Sequence, residues 1–404
     1  MTVTIIISLC VLLLIAYVFD LTSSKTKVPS VILLLLSGWL VKQLASWLDI
    51  QLPDFSPLLP VLGTIGLILI VLEGSLELEL NRSKLGLIRK SFFGAFVPML
   101  ALAFLLAFAF YASGHFSFKD GLLNAMPLCV ISSAIAIPSV RNLGRQHKEF
   151  IIYESSLSDI LGVIVFNFLA YNEIVNAGSF GHFALELLII AVVSFIATIA
   201  LAFLLNKIEH PIKFIPIILI IILIYAVSKV YHLPGLIFIL FFGLSIGNLD
   251  ELKRFKWIEK LQPDELNREV IKFRELTSEA AFVIRASFFL LFGFLIETST
   301  VLNADTFVWA VAIVLIIVLF RYVQLRLSHL PLRPLLFVAP RGLITILLFL
   351  SIDPAHTIPL VNQSLIIQVI LLMALLMMFG LMTHKRSPSD EEDATIADPE
   401  EVKH

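Results

Sequence analysis

Charge is what this sequence has least of. Only 15% of its 404 residues are Asp, Glu, Lys or Arg, while 59% are apolar. A soluble chain carries about a quarter charged residues, so a water-soluble globular fold is excluded. Cysteine is scarce as well. Cys10 and Cys129 both lie in apolar runs, which excludes a disulfide framework or a thiolate metal centre and marks them as small packing residues. There is no HExxH and no GxSxG, and no second aspartate stands in a span beside Asp159 as a paired-aspartate protease requires, so no enzyme is expected. The TVGYG filter of a symmetric channel is missing too. A net charge of −2 offers nothing to a nucleic acid, and no cofactor is implied. The nine histidines fall mostly in loops or at helix ends, which speaks against a buried metal site.

What is present is a series of apolar runs, each near the length that a roughly 30 Å hydrocarbon core demands of a helix. Hydropathy places about thirteen spans, at 4–20, 28–46, 57–79, 91–113, 121–140, 150–171, 182–205, 214–230, 233–248, 276–297, 306–327, 333–352 and 363–382. The first lacks a basic leader and a small-residue cleavage site, so it is expected to be retained. Basic residues alternate between the two sets of loops. Lys84, Arg89, Lys90, Arg145, Lys148, Arg321 and Arg326 fall in one set, and only Lys42, Lys119 and Lys229 in the other. Positive charge stays inside, so the N-terminus is expected outside and the C-terminus in the cytoplasm. The segment 250–275 is too charged to span and reads as an amphipathic surface helix with Trp257 toward lipid. Residues 384–404 read as a disordered acidic tail after a membrane domain covering 1–383.

Two stretches repeat. KVPSVILLLLSGWLV from Lys27 aligns with HLPGLIFILFFGLSI from His232, matching Pro29 with Pro234, Ile32 with Ile237, Leu35 with Leu240 and Gly38 with Gly243. The offset is seven spans, an odd number, so the halves insert in opposite orientations. Inverted repeats of this kind belong to secondary transporters, which bind substrate near midplane at the repeat interface. The same offset pairs the fifth span with the twelfth, and both are interrupted. ISSAIAIPSV holds Ser132, Ser133 and Pro138, and VAPRGLITIL holds Pro340, Arg341 and Gly342. The expected fold is therefore an all-α membrane protein with two inverted repeats and crossed broken helices.

Ionisable groups inside a bilayer cost about 2.5–3.5 kcal/mol each on insertion scales and mark function by default. Glu73, Glu154, Asp159, Arg285 and Arg341 stand well inside spans, and each lies about 7–14 Å in from its cytoplasmic flank at 1.5 Å per residue. Ser132 and Ser133 share that depth. Ser155 and Asp159 lie one helical turn apart on the same face, offering a hydroxyl and a carboxylate, oxygen ligands suited to a hard cation. One carboxylate that holds either a proton or a cation is all that exchange requires. Arg285, permanently charged, must find a partner at that depth, and Glu154 is the candidate.

In this order and spacing the motifs resemble the cation:proton antiporter superfamily, in particular the bacterial sodium/proton exchangers of the NhaP type. KVPSVILLLLSGWL resembles the family's second helix, IGLILIVLEGSLELEL its third, ESSLSDILG its Glu-x-x-x-Asn-Asp helix, IRASFFLLFG its Arg-bearing tenth and PRGLITILLFLS its Arg-Gly twelfth. The resemblance implies that Asp159 is the carrier. It also implies that Glu73, Ser132, Ser133, Ser155 and Ser158 surround the cation, that Glu154 and Arg285 form a structural ion pair, and that Arg341 and Gly342 belong to the helix crossing. It further implies a homodimer in the cell (inner) membrane exchanging Na⁺ for H⁺, with Li⁺ or K⁺ as other cations. Two positions depart from the pattern. Ser158 stands where electroneutral relatives carry Asn and electrogenic ones a second Asp, so the missing second aspartate implies electroneutral one-for-one exchange. Ser132-Ser133 stands where close relatives carry Thr-Asp-Pro and is similar to the potassium-efflux branch, so K⁺/H⁺ exchange is the alternative. A cation channel is the rival of another class.

Overall fold

A computed structural model describes the chain apart from residues 1, 27, 50–53, 79–81, 115, 141–142, 173–176, 208–213, 232, 234, 249–262 and 384–404. The expected tail, Trp257 and Pro234 of the repeat lie outside the described residues. Every other element is helical: α1 (Thr2–Thr26), α2 (Ser30–Trp47), α3 (Leu58–Glu77), α4 (Leu85–Ser113), α5 (Phe118–Cys129), α6 (Ser133–Ser139), α7 (Arg145–Tyr171), α8 (Ala177–Lys207), α9 (Phe214–Val230) and α10 (Gly235–Gly247) come first. Then follow α11 (Pro263–Leu295), the short α12 (Thr298–Val301), α13 (Ala304–Leu327), α14 (Leu343–Leu350) and α15 (Gln363–Thr383), with 3₁₀ turns at Arg82–Lys84 and Pro354–His356.

Each predicted span meets one of these elements. Among the described residues eight helical segments are long and apolar enough to cross a membrane, and Cys10–Ser23, Phe214–Val230 and Gly235–Gly247 are shorter apolar helices. One expectation is corrected. The charged stretch 263–275 does not form a surface helix of its own, because α11 runs unbroken through it into the next span. No Gly or Pro stands between Pro263 and Leu295 before Gly293, so nothing stops the helix where hydropathy changes.

The repeat is visible in the packing. A Cβ added to Gly38 of α2 would lie 2.1 Å from Leu290 O of α11, and one added to Gly243 of α10 would lie 1.8 Å from Ser75 Oγ of α3. Shifting by seven spans turns the α2–α11 contact into the α10–α3 contact, so the aligned glycines do the same job in the two halves. Only hydrogen lets backbones approach this closely, the use that membrane helices make of small residues.

The fifth and twelfth spans are broken as the sequence implied. Chain between α5 and α6 leaves the helix at 130–132, with Val130 and Ser132 extended, and chain before α14 is non-helical at 338–342. The α5–α6 span is the most deeply buried of the eight. Its break falls before Ser133 rather than at Pro138, which sits inside α6 near its end. The two breaks meet: Ser132 N–H donates to Pro340 O at 2.9 Å. Non-helical backbone at this depth is tolerated because protein, not lipid, surrounds it.

Candidate ion-binding site

Asp159 sits on α7 with 3% of its surface exposed. Its Oδ2 accepts two hydrogen bonds from one residue, the Ser133 amide at 3.1 Å and the Ser133 hydroxyl. Its Oδ1 is buried with no hydrogen-bond partner among the described residues. Ser132 Oγ and Ser156 Oγ are likewise buried without a partner. A buried carboxylate oxygen costs free energy unless something satisfies it, so a proton or a bound cation is what this atom calls for.

The backbone of the break is held by side chains. Ile131 N–H donates to Ser158 Oγ at 2.9 Å, next door to Asp159. Arg341 sends Nε to Leu128 O at 2.7 Å, Nη1 to Ala339 O at 2.7 Å and Nη2 to Cys129 O at 3.4 Å. The carbonyls of Leu128 and Cys129 end α5, and a guanidinium with five donors in a fixed fork suits the freed acceptors and the negative end of a half-helix. Gly342 follows directly. A Cβ there would meet Ile135 Cδ1 at 2.5 Å and Ser132 Oγ at 3.0 Å, so the crossing leaves no room for a side chain.

The expected Glu154–Arg285 pair is corrected. Glu154 Oε1 instead accepts from Arg321 Nη1 and Gln324 Nε2, both on α13. Arg321 also donates to Leu335 O at 3.1 Å and Val338 O at 3.3 Å, bracing the chain before the second break. Arg285 lies 3.8 Å from Glu73. Depth along the membrane normal suggested the first pairing, but rotation about the helix axes decides it. Glu154 faces α13 and α4, where a Cβ on Gly94 would come within 3.2 Å of its Oε1.

Arg321 is the residue that sequence reasoning missed. The alternation of basic charge puts it with the cytoplasmic loops, yet it lies inside the span 306–327 and is only 3% exposed. Its position six residues short of the span's end was the available signal. Ser155 is also placed differently from expectation. Its hydroxyl donates back to Ile151 O at 2.7 Å on its own helix, which leaves only its lone pairs for any ligand.

Two cavities flank the carboxylate. One of about 120 Å³ is lined by Ser133, Glu73, Glu77, Lys148 and Arg285 together with apolar residues. It ends on the serine that binds Asp159. The other, about 340 Å³, runs along α7 past Val163, Asn167 and Tyr171. Val163 is four residues, one helical turn, beyond Asp159 on α7, so the second cavity begins one turn from the carboxylate's position. Among the described residues no group of three or more His, Cys, Asp or Glu is arranged to hold a metal ion.

This architecture is shared with solved structures. The sodium proton antiporter MjNhaP1 from Methanocaldococcus jannaschii, in a structure at pH 8, superposes with a TM-score of 0.66 at 19% identity, covering 94% of this chain and 100% of that one. An electron-microscopy structure of the same antiporter gives 0.64 at 17% identity, covering 100% and 99%. No curated protein matches the chain. The sequence model of the transmembrane sodium/hydrogen exchangers matches residues 10–384. With that match spanning nearly all of the membrane part, the chain belongs to the sodium/hydrogen exchanger family, a family of multi-pass membrane antiporters rather than enzymes.

Proposed function

We propose that the protein exchanges Na⁺ for H⁺ one for one, with Asp159 carrying each in turn. The observation that bears most weight is the state of this carboxylate. One oxygen is fully served by Ser133 and the other is buried with no partner among the described residues. A proton or a monovalent cation on Oδ1 completes the site, and the two exclude each other. A cavity lined by Ser133 and another that begins one turn along α7 at Val163 support access to Asp159 from each face in turn. Ser132 and Ser133, with Glu73 nearby, supply further oxygens. Ser158 and Arg341 hold the unwound backbone around the site, and the Glu154–Arg321 pair is structural.

Na⁺ is proposed first because the structurally similar MjNhaP1 is described as a sodium proton antiporter. The Ser132-Ser133 pair favours K⁺ as the second reading. The basic loops support an N-terminus outside and a C-terminus in the cytoplasm of the inner membrane, with cellular pH homeostasis as the role. The working unit is proposed to be a homodimer, which native mass spectrometry in detergent tests.

The experiment is cation-driven proton movement in vesicles holding the purified protein, with Na⁺, Li⁺ and K⁺ added in turn. Na⁺ is expected to move protons most strongly. Asp159→Asn is expected to abolish exchange while the protein still elutes as a single folded species. Normal exchange by Asp159→Asn would overturn the assignment.

A further inference from the structure

The two cavities that flank Asp159 differ in charge. The smaller holds two carboxylates, Glu73 and Glu77, against Lys148 and Arg285. The larger lies among α3, α7, α9, α10 and α14, and among the described residues Lys229 near the end of α9 is the only charged one lining it. Its remaining polar lining is Thr64, Asn167, Tyr171, Tyr225 and Ser351. Thus α3, α10 and α14 bring no titratable group to this cavity, and α7 brings only a tyrosine. Lys229 is exposed, with no ion-pair partner among the described residues.

A fixed positive charge in a cavity with low-dielectric walls raises the potential throughout it. A cation travelling toward Asp159 from this side must cross that potential. From the other side it meets two carboxylates and no net charge. We infer that Lys229 makes exchange asymmetric, raising the apparent KM for the cation from its own face alone. The inference rests on Asp159 being the shared carrier. It also carries its own signature, because the potential lowers local Na⁺ and H⁺ by the same factor. Where protons compete strongly, the two effects cancel in the apparent KM. Where protons are scarce, the cation term stands alone. The asymmetry therefore appears in alkaline medium and fades in acid.

A unit charge about 10 Å from the ion path, in a medium between protein and water, changes local cation concentration by about two- to fourfold. The test compares everted with right-side-out membrane vesicles containing the full chain, at alkaline pH and low ionic strength. Lys229→Gln is expected to lower the KM for Na⁺ about two- to fourfold from one face and leave the other unchanged. Lys229→Glu is expected to lower it further, and Lys229→Arg to match the unaltered protein, so the order follows charge rather than shape. Raising ionic strength to about 1 M with choline chloride, where the Debye length is about 3 Å, is expected to erase the differences. Equal changes from both faces, no change from either, or Lys229→Arg behaving like Lys229→Gln would overturn the inference. Absence of the one-sided change, with Asp159-dependent exchange intact, refutes the role of Lys229 alone. Exchange that survives Asp159→Asn refutes the carrier assignment instead.

Discussion

Ser133 donates both its amide and its hydroxyl to the same oxygen of Asp159, 26 residues further along the chain. The amide is available only because the helix is interrupted at 130–132, so its own i−4 acceptor is gone. The break in one span and the carboxylate on another thus form a single unit. Removing the hydroxyl tests it. Ser133→Ala deprives the charged carboxylate of one charge-assisted hydrogen bond, about 1.5 kcal/mol, and the apparent KM for the cation is expected to rise about tenfold. Ser133→Thr keeps the hydroxyl and is expected to stay within about threefold. Proton flux at varied Na⁺ measures both, and an unchanged KM in Ser133→Ala would remove Ser133 from the site.

The corrected pairing of Glu154 makes a sharper test. Breaking a buried ion pair strands a charge and costs about 3–5 kcal/mol. Glu154→Gln and Arg321→Ala are each expected to lower thermal stability in detergent by that order, with the double variant well short of their sum. Glu154→Gln and Arg285→Ala are expected to add, since the structure gives them different partners. A double-mutant cycle reads this directly. Additivity for Glu154 with Arg321 and coupling with Arg285 would restore the pairing that depth alone suggested.

Stoichiometry follows from the same pairings. With Glu154 held by Arg321 and Glu73 beside Arg285, Asp159 is the carboxylate left to cycle. A carrier loaded with one Na⁺ or one H⁺ has the same net charge. Clamping the vesicle potential with valinomycin and potassium, with Na⁺ as substrate, is expected to leave rate and end point unaltered. One charge moved through 100 mV is worth about 2.3 kcal/mol, so electrogenic exchange would respond clearly. A shift with potential would make Glu73 the first suspect for a second proton.

Away from the site, Asn124 ties the start of the fifth span to the chain that follows α14. Its Nδ2 donates to His356 O at 2.7 Å and to Asp120 O at 2.8 Å, and its Oδ1 accepts from Ile358 N–H at 3.2 Å. It is fully buried. Asn124→Ala leaves a buried N–H and a buried C=O unserved and is expected to cost about 2–3 kcal/mol of stability. The Asp120–His356 pair, 2.7 Å apart, is partly open to solvent, and His356→Ala is expected to cost less than about 1 kcal/mol. Thermal unfolding in detergent ranks the two, and equal losses would show that Asn124 is not the stronger tie.

Where most of the helices lie and which two spans are interrupted were legible in the sequence. These properties are local. A run of apolar residues, or a Pro and small residues inside one, needs no neighbour to be interpreted. The repeat was legible too, since Gly38 and Gly243 stand at matching places and make matching contacts. Which groups touch was not. Counting along the spans puts Glu154, Arg285, Glu73 and Arg341 at one expected depth, and only the rotation and placement of their helices decide that Glu154 meets Arg321 while Arg341 meets the carbonyls of Leu128 and Cys129. Pairing at equal depth is a question of azimuth, and azimuth is set by how whole helices pack.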